Sequence, residues 1–252
     1  MSKTENFFIY GRNPVEEALQ NRPFEVDKIF MKNNFKLSSY QEINELAVEN
    51  DVPIVKVPGQ KIYNLVGRVN DQGFVAQLSA AKYTPYSEWV QNLYLYDNPA
   101  VLLLQGIEDP HNFGAILRSA AAAGISAVII PTQNQAPVNA TVFKTSAGTA
   151  GRIPIIRVHD VNQGMKDLKA TGFSIIGLDG NAPDILWEAD LQKPIAFLIG
   201  SEGEGITKEN LKKCDALTSL PMLNNVESLN ASVSAALISY EWQRRKFNPS
   251  KD

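Results

Sequence analysis

The chain has few of the residues that hold metals and none of the patterns that mark a membrane or secreted protein. Its 252 residues include one cysteine, Cys214, and two histidines, which excludes an internal disulfide and argues against a zinc site built from His and Cys. No window approaches the roughly 18 uninterrupted apolar residues of a membrane span, and the start, MSKTENFFIY, lacks a signal peptide's apolar core. We expect a cytoplasmic protein that uses neither a membrane nor a metal.

Several nucleotide-binding and catalytic signatures are also missing. The sequence contains no GxGxxG fingerprint, no P-loop lysine after a glycine-rich turn and no HExxH pair. An oxidoreductase that uses a dinucleotide on a doubly wound sheet is therefore not expected. The formal net charge of -3 argues mildly against a broad, non-specific nucleic-acid surface, but it leaves room for a local basic patch.

The pattern of apolar runs predicts an α/β protein in two parts. Residues 1–80 form a small α/β unit, residues 81–99 read as a linker rich in Tyr and Pro, and residues 100–252 form a larger unit. Helical segments separate most of the apolar runs of the larger unit, which predicts a mostly parallel sheet covered on both faces. Those runs are Val101–Leu104, Ala127–Ile130, Ile153–Val158, Phe173–Leu178, Ile195–Ile199 and Leu217–Leu220.

Three helix starts follow from capping patterns and glycine positions. Asn13, followed by Pro14, predicts a cap for the first helix. A second helix is predicted from Ala115 to Gly124, after a glycine-containing loop. Asn230 predicts the cap of a helix whose first residues, Ala231–Ala236, are all small. Residues this small indicate that the helix approaches another backbone or a ligand closely.

The loop after the first strand of the larger unit carries a candidate cation. It runs over residues 106–114, with Asn112 near the helix start and Arg118 one turn into the helix. A guanidinium beside a helix N-terminus is well placed to meet a phosphate or carboxylate. The alternative is a structural ion pair between Arg118 and Glu108 or Asp109.

Three more strand ends carry polar or glycine-rich loops. Residues 197–206, FLIGSEGEGI, place Glu202 and Glu204 where a phosphate would be repelled, so the loop suits a ligand with hydroxyl, amide or positively charged groups, or is a tight structural turn. Residues 175–180 end at Asp179-Gly180, and residues 223–230 precede the helix of small residues. Because ligands of parallel sheets bind outside the carboxyl ends of strands, we expect these loops to share one pocket.

These segments resemble the SpoU (TrmH-type) family of RNA ribose 2′-O-methyltransferases, within the SPOUT superfamily. The resemblance rests on DPHNFGAILRSAAAAG (109–124), PVNATVFKTSAGTAG (137–151), LIGSEGEGI (198–206) and LPMLNNVESLNASVSAAL (220–237). The N-terminal segment IYGRNPVEEAL (9–19) resembles the start of the family's small substrate-binding domain, which is similar to the L30e/L7Ae ribosomal fold. Together the segments cover almost the whole chain.

The resemblance implies a fold, a cofactor and partners. It implies that residues 1–80 are an L30e-like RNA substrate-binding domain and that residues 100–252 are a SPOUT methyltransferase domain with a deep trefoil knot. It also implies S-adenosylmethionine as cofactor, RNA as partner and an obligate homodimer. The two-domain members that it most resembles methylate the ribose of a guanosine in large-subunit (23S) rRNA.

The resemblance also assigns residues. Motif by motif, it implies that catalysis involves Arg118, Asn112, Glu202, Ser228 and Asn230. It implies that the cofactor is held by backbone groups at Gly177, Leu178, Ile199, Gly200, Leu220 and Leu229. Methyl transfer from a sulfonium needs in-line alignment and help with one proton, so these residues suffice without a metal.

Two other functions stay open at the level of the sequence. One is methylation of a tRNA ribose, although relatives with that activity often lack the small N-terminal domain. The other is a non-catalytic RNA-binding or ribosome assembly factor. The complete set of Asn112, Arg118, Glu202 and Asn230 argues against this second alternative.

Overall fold

The structure is a computed structural model, which describes residues 8–35, 40–79, 82–224 and 226–247. The junction of the predicted small unit and linker, residues 80 and 81, lies outside the described residues, as does Asn225 of the predicted loop 223–230. Contacts divide the described chain into two compact units. The first holds the residues between 8 and 83 together with 137–141, and the second holds 84–136 and those between 142 and 247.

The first unit contains a four-stranded mixed sheet. Strand β3 is parallel to β2, whereas β4 is antiparallel to both β1 and β2, in the order β1-β4-β2-β3. Its core includes the fully buried Val15, Ile29 and Ile43. The elements are β1 (Phe8–Tyr10), α1 (Arg12–Asn21), β2 (Val26–Lys32), α2 (Gln41–Glu49), β3 (Ile54–Val57), α3 (Gly59–Val66) and β4 (Phe74–Leu78).

Helix α1 begins earlier than its sequence pattern predicts. The chain leaves β1 through Gly11, whose positive φ of 96° turns it directly into the helix at Arg12. The Arg12 N–H donates to the Gln72 side chain at 2.9 Å, so one free N–H of the first turn is satisfied from outside the helix. The prediction that Asn13 caps α1 is therefore wrong.

The second unit contains a six-stranded sheet in the order β10-β8-β9-β5-β6-β7. Every pairing in it is parallel. The predicted parallel α/β sheet is confirmed, and each of the six apolar runs contains or overlaps one strand. The elements are α4 (Tyr86–Gln91), β5 (Ala100–Leu104), α5 (Pro110–Ala123), β6 (Ala127–Pro131), β7 (Ile155–Val158), α7 (Val161–Ala170), β8 (Ser174–Leu178), β9 (Ile195–Ile199), α8 (Lys208–Leu211), β10 (Ala216–Thr218) and α9 (Ala231–Phe247). Helix α6 (Ala140–Thr145) begins in residues of the first unit and ends in residues of the second.

Helices cover both faces of this sheet. Val101 and Leu103 of β5 share one core cluster with Met165 of α7. Side chains alternate along a strand, so Leu102 and Leu104, also fully buried, point to the opposite face. Burial on both faces explains why β5, β6 and β9 are continuous apolar runs.

The residues between 84 and 99 belong to the second unit. Helix α4 in this segment buries Trp89, whose ring packs against Phe173 with the ring centroids 5.8 Å apart. The aromatic side chain of Trp89 therefore completes the core of its own unit. In the part of the chain that the structure describes, no helix has the length and apolar character needed to cross a bilayer.

Helix α5 corrects a second predicted boundary. It begins at Pro110, with the Asp109 carboxylate capping it by accepting from the His111 N–H at 2.9 Å, not at Ala115 as predicted. Gly114 suggested a turn, but it lies inside the helix. A Cβ at Gly114 would come within 1.9 Å of the Thr145 Oγ1, so glycine is required here by packing.

The C-terminal helix α9 packs along α5. Its small buried residues Ser234, Ala235 and Ser239 occupy the inner face, and α5 contributes Ala120 and Ala123 to its own buried face. Small side chains on both helices allow close approach of the two backbones. This contact accounts for the run of small residues that begins α9.

Candidate active site

Three loops of the second unit are joined by a carboxylate and two amides. The Glu202 Oε1 accepts a hydrogen bond from the Asn112 Nδ2 at 2.6 Å and another from the Asn230 Nδ2. The Asn230 Nδ2 also donates to the Asn112 Oδ1 at 3.0 Å. These residues come from the start of α5, the loop after β9 and the residue before α9. Three of the residues predicted for catalysis therefore lie together.

Asn230 has a second function in the same place. Its Oδ1 accepts from the backbone N–H of Ser232 at 2.9 Å, which confirms it as the cap of α9. The side chain is thus held at both ends, with the carbonyl on the helix and the amide on Glu202 and Asn112. Such double anchoring fixes the geometry of the loop that precedes α9.

A cavity of about 140 Å³ lies at the carboxyl ends of β8, β9 and β10. Five of the six residues predicted to hold a cofactor line it: Leu178, Ile199, Gly200, Leu220 and Leu229. Glu202 and Ser228 line it as well. The cavity therefore joins the predicted cofactor residues to the three-loop network.

The remaining predicted cofactor residue, Gly177, does not line this cavity. A Cβ there would meet the Cys214 Sγ at 2.8 Å and the Leu217 side chain at 2.9 Å, so its small size serves packing. Burial raises the pKa of the Cys214 thiol to about 11, which leaves it protonated and unreactive at neutral pH. Cys214 is a packing residue in this structure.

Gly200 allows the loop after β9 to fold back on itself. A Cβ at this position would lie 2.1 Å from the Gly205 carbonyl carbon and 2.4 Å from the Ile206 nitrogen. The turn is closed by a hydrogen bond from the Gly205 N–H to the Ser201 carbonyl oxygen at 3.0 Å. The loop is thus both a tight turn and a wall of the cavity.

Arg118 is not part of the network. Its side chain is exposed, and it neither lines the cavity nor makes a hydrogen bond or ion pair within the described residues. The alternative ion pair with Glu108 or Asp109 is therefore not present, and Asp109 caps α5 instead. The guanidinium on α5 remains available to a ligand.

The cavity also contains residues that the sequence patterns did not single out. Met222 and Glu227 line it, and both lie in the segment between β10 and α9. Glu202 and Glu227 bring negative charge, whereas no Lys or Arg of the described residues lines this cavity. Such a lining repels phosphate and fits a ligand that carries positive charge. Among the described residues, no group of three or more His, Cys, Asp or Glu is arranged to hold a metal ion.

The fold and the cavity define an α/β protein that binds its ligand at the carboxyl edge of a parallel sheet. Sequence comparison is more specific, because residues 99–240 match the SpoU rRNA Methylase family. Residues 8–84 match the family described as RNA 2′-O ribose methyltransferase substrate binding. The chain belongs to the SpoU rRNA methylase family.

A curated relative agrees with this assignment, and solved structures share the fold. The chain is 37% identical over 247 residues to the 23S rRNA (guanosine-2′-O-)-methyltransferase RlmB of Xanthomonas campestris, covering 98% of this chain and 99% of that protein. Its fold is similar to the SpoU methyltransferase AviRb from Streptomyces viridochromogenes, with a TM-score of 0.62, 21% identity, and 98% and 92% of the two chains covered. A complex of AviRb with AdoMet has a TM-score of 0.59, 22% identity and coverage of 96% and 91%.

Proposed function

We propose that this chain transfers a methyl group from S-adenosylmethionine to the ribose 2′-hydroxyl of a guanosine in large-subunit rRNA. The observation that carries the proposal is the junction of the Asn112–Glu202–Asn230 network with the cavity of the strand ends. The family supports ribose methylation, and the name of the Xanthomonas relative supports guanosine of 23S rRNA.

The cavity residues fit the cofactor. When bound, S-adenosylmethionine supplies an electrophilic methyl group carried by a positively charged sulfonium. The chain presents strand-end backbone at Leu178, Ile199–Gly200 and Leu220, with the carboxylates of Glu202 and Glu227 nearby and no cationic side chain in the lining. These groups bind neutral and positively charged parts of a nucleoside and do not favour a phosphate.

The remaining residues position the substrate. Arg118 contacts the phosphate and ribose of the target nucleotide and stabilises the alkoxide that develops on the 2′-oxygen. A guanidinium stays protonated in proteins, so Arg118 acts as a donor and not as the base. Glu202 holds Asn112 and Asn230 in place. Ser228, in the cavity lining, positions the nucleotide beside Arg118.

The domain roles and the knot belong to the same proposal. Residues 1–80 bind the RNA substrate as an L30e-like domain, residues 81–99 connect the two parts, and residues 100–252 carry out catalysis through a trefoil-knotted sheet. Leu220 and Leu229, both after β10, line the same cavity as Leu178 and Gly200, which supports a C-terminal segment threaded past the ends of β8 and β9. A crystal structure with an unknotted backbone, which would straighten completely if its two ends were pulled apart, would contradict the knot.

We propose that the protein is a homodimer that uses α9. Val233, Leu237 and Tyr240 repeat at helical spacing on the face of α9 away from its buried side, and they are 45%, 39% and 48% exposed. An apolar stripe of this kind on a surface helix fits a second copy of the same helix. The proposed interface lies next to Asn230, so the active sites of both protomers lie near this interface.

The variant Leu237→Glu is expected to convert the dimer into a monomer, because it buries a charge in an apolar contact. The mass in solution is measured by size-exclusion chromatography with light scattering. Val48→Glu is the matched control, since Val48 is 70% exposed and belongs to α2, a helix of the first unit. A wild-type protein that is already monomeric at micromolar concentration would end the dimer proposal.

The reaction is tested with labelled S-adenosylmethionine, the purified protein and large-subunit rRNA that lacks its modifications. The RNA is then digested in alkali, where a 2′-O-methyl group blocks cleavage of the adjacent phosphodiester. Label in one alkali-resistant dinucleotide that contains guanosine is the expected result. Transfer to tRNA alone would reassign the substrate, and cofactor binding without transfer to rRNA, tRNA or ribosomal assembly intermediates would favour a non-catalytic factor. We also propose a cytoplasmic location, which the proposed rRNA substrate supports.

A further inference from the structure

A second, larger cavity lies on the other side of the turn formed by residues 201–205. Its volume is about 690 Å³, and it opens at the carboxyl ends of β5, β6 and β7. Ser201 and Gly205 line both this cavity and the smaller one beside Glu202. We call the larger cavity the β5 cavity. The wall between the two cavities is therefore a single turn.

The topology of the sheet marks the β5 cavity as a ligand site. From β5 the chain continues through β6 to β7 on one side, whereas β8, β9 and β10 lie on the other side. The order of strands reverses between β5 and β9, and in open α/β sheets the crevice at such a reversal is where ligands bind. The loops after β5 and β9 supply Gly106 and Gly205 to the lining of this crevice.

The lining of the β5 cavity is polar and, among the described residues, contains no Lys or Arg. Amide side chains come from five positions, and carboxylates come from Glu108, Asp160, Glu204 and Glu209, with no Lys or Arg among them. Two of the carboxylates are already engaged: Glu209 pairs with Lys213 at 2.6 Å, and Asp160 caps α7. The side chains of Glu108 and Glu204 make no hydrogen bond or ion pair among the described residues.

The floor of the β5 cavity is held in place by a buried amide. Asn210 is only 5% exposed, and its Nδ2 donates to the Gln105 Oε1 at 2.6 Å. The Asn210 Oδ1 is buried without a hydrogen-bond partner, which a polar ligand or a water molecule would satisfy. The polar floor is therefore built from a fixed pair of amides and is not a chance grouping of surface residues.

We propose that the β5 cavity holds the base of the target guanosine. The Watson–Crick edge of guanine presents two adjacent donors, N1–H and the 2-amino group, and one carboxylate accepts from both. Adenine, cytosine and uracil each place an acceptor beside their single donor group, and a carboxylate repels that acceptor. Glu108 and Glu204 are the two carboxylates free to accept these bonds. RNA-specific proteins read bases in this way when the bases are unstacked from the helix.

The position of the β5 cavity suits a single nucleotide. We call the 140 Å³ cavity, which is proposed to hold S-adenosylmethionine, the cofactor cavity. Because Ser201 and Gly205 border both cavities, a base in the β5 cavity leaves its ribose at the turn, next to the cofactor cavity. A third cavity shares Asp160 and Asn162 with the β5 cavity and is lined by Lys166 and Lys212, whose side chains have no partner in the described chain. Its lysines suit the phosphates on either side of a nucleotide whose base is flipped out of the helix.

This inference rests on the proposed function, and its test uses the substrate atoms that the carboxylates are expected to read. The target nucleotide is first mapped by the alkali-resistance assay. Full-length rRNA is then ligated from fragments with either guanosine or inosine at that position, since inosine lacks only the 2-amino group. The kcat/KM for both RNAs is measured for the wild type, for the double variant Glu108→Gln, Glu204→Gln, and for the control Glu188→Gln, which lies outside the β5 cavity.

For the wild type and for Glu188→Gln, inosine is expected to lower kcat/KM about tenfold or more, the size of one good base contact. The double variant is expected to lose about tenfold or more on guanosine RNA and to show little further loss on inosine RNA. Its affinity for S-adenosylmethionine, measured by calorimetry, stays at the wild-type value, because neither carboxylate lines the cofactor cavity.

A double variant that keeps the wild-type preference for guanosine would overturn the base site while leaving ribose methylation intact. A parallel loss on both RNAs would also overturn it, since it would indicate a structural role for the carboxylates. A wild-type enzyme that transfers methyl to no RNA would instead contradict the proposed function itself, and the base site would fall with it. Methyl transfer by the wild type therefore distinguishes failure of the base site from failure of the proposed function.

Discussion

Arg118→Ala is expected to lower the rate of methyl transfer by about 10²–10⁴-fold while S-adenosylmethionine binds as tightly as to the wild type. The guanidinium is the exposed cation of α5 and does not line the cofactor cavity. It makes no hydrogen bond or ion pair within the described residues, so its removal breaks no contact of the fold. Its loss removes a donor from the ribose and phosphate and leaves the developing alkoxide without a positive partner.

The measurement is single-turnover methyl transfer to rRNA, combined with calorimetry for the cofactor. Arg152→Ala is the matched control, because Arg152 is also an exposed arginine of the second unit and loses the same charge. Arg118→Lys separates charge from shape, and we expect it to recover only part of the rate, since an ammonium cannot form the planar two-pronged contact. Near-normal turnover of Arg118→Ala would remove this residue from the mechanism.

Gly200→Ala is expected to weaken the binding of S-adenosylmethionine by about 100-fold or more. The added methyl would overlap the backbone of Gly205 and Ile206, at distances of 2.1 Å and 2.4 Å, and a backbone cannot rotate away as a side chain can. The turn must open, and it carries Ser201 and Glu202 of the cavity lining with it. Transfer of methyl groups is then lost together with binding.

Gly203→Ala provides the control for this prediction. Gly203 lies in the same loop, and a Cβ there meets no atom within 4 Å, so the fold and cofactor affinity are expected to stay at wild-type values. Calorimetry gives the affinity, and thermal unfolding followed by circular dichroism shows whether each variant is folded. If both alanine variants bind the cofactor equally well, the turn at Gly200 is not a wall of the cofactor site.

The sheet of the second unit could be predicted from the sequence because its central strands β5, β6 and β9 are buried on both faces. Such strands appear as continuous apolar runs, so all six runs corresponded to strands. The first residues of the helices could be predicted less well than the strands. Gly114 suggested a loop because glycine is typical of turns, but its role is to make room for Thr145, a contact thirty-one positions away that no local pattern contains.

The candidate site, too, could be predicted from the sequence only in part. The loop containing Glu202 was identified from its glycines and carboxylates, and Asn230 was correctly predicted as a cap. The hydrogen bonds that join Asn112, Glu202 and Asn230 could not be predicted without the family resemblance, because they connect residues up to 118 positions apart. The β5 cavity was not predicted at all, since its lining comes from short polar stretches after four different strands.

The network around Glu202 also has a consequence for biosynthesis. Asn230 follows β10, and its side chain joins α9 to the loops that already share the hydrogen bond between Asn112 and Glu202. A ribosome therefore has to synthesise the chain through Asn230 before the three-residue network is complete. Copies that end between Thr218 and Asn230 contain every described strand of the sheet but lack the Asn230 amide, so they cannot join the loops at Asn112 and Glu202 to α9.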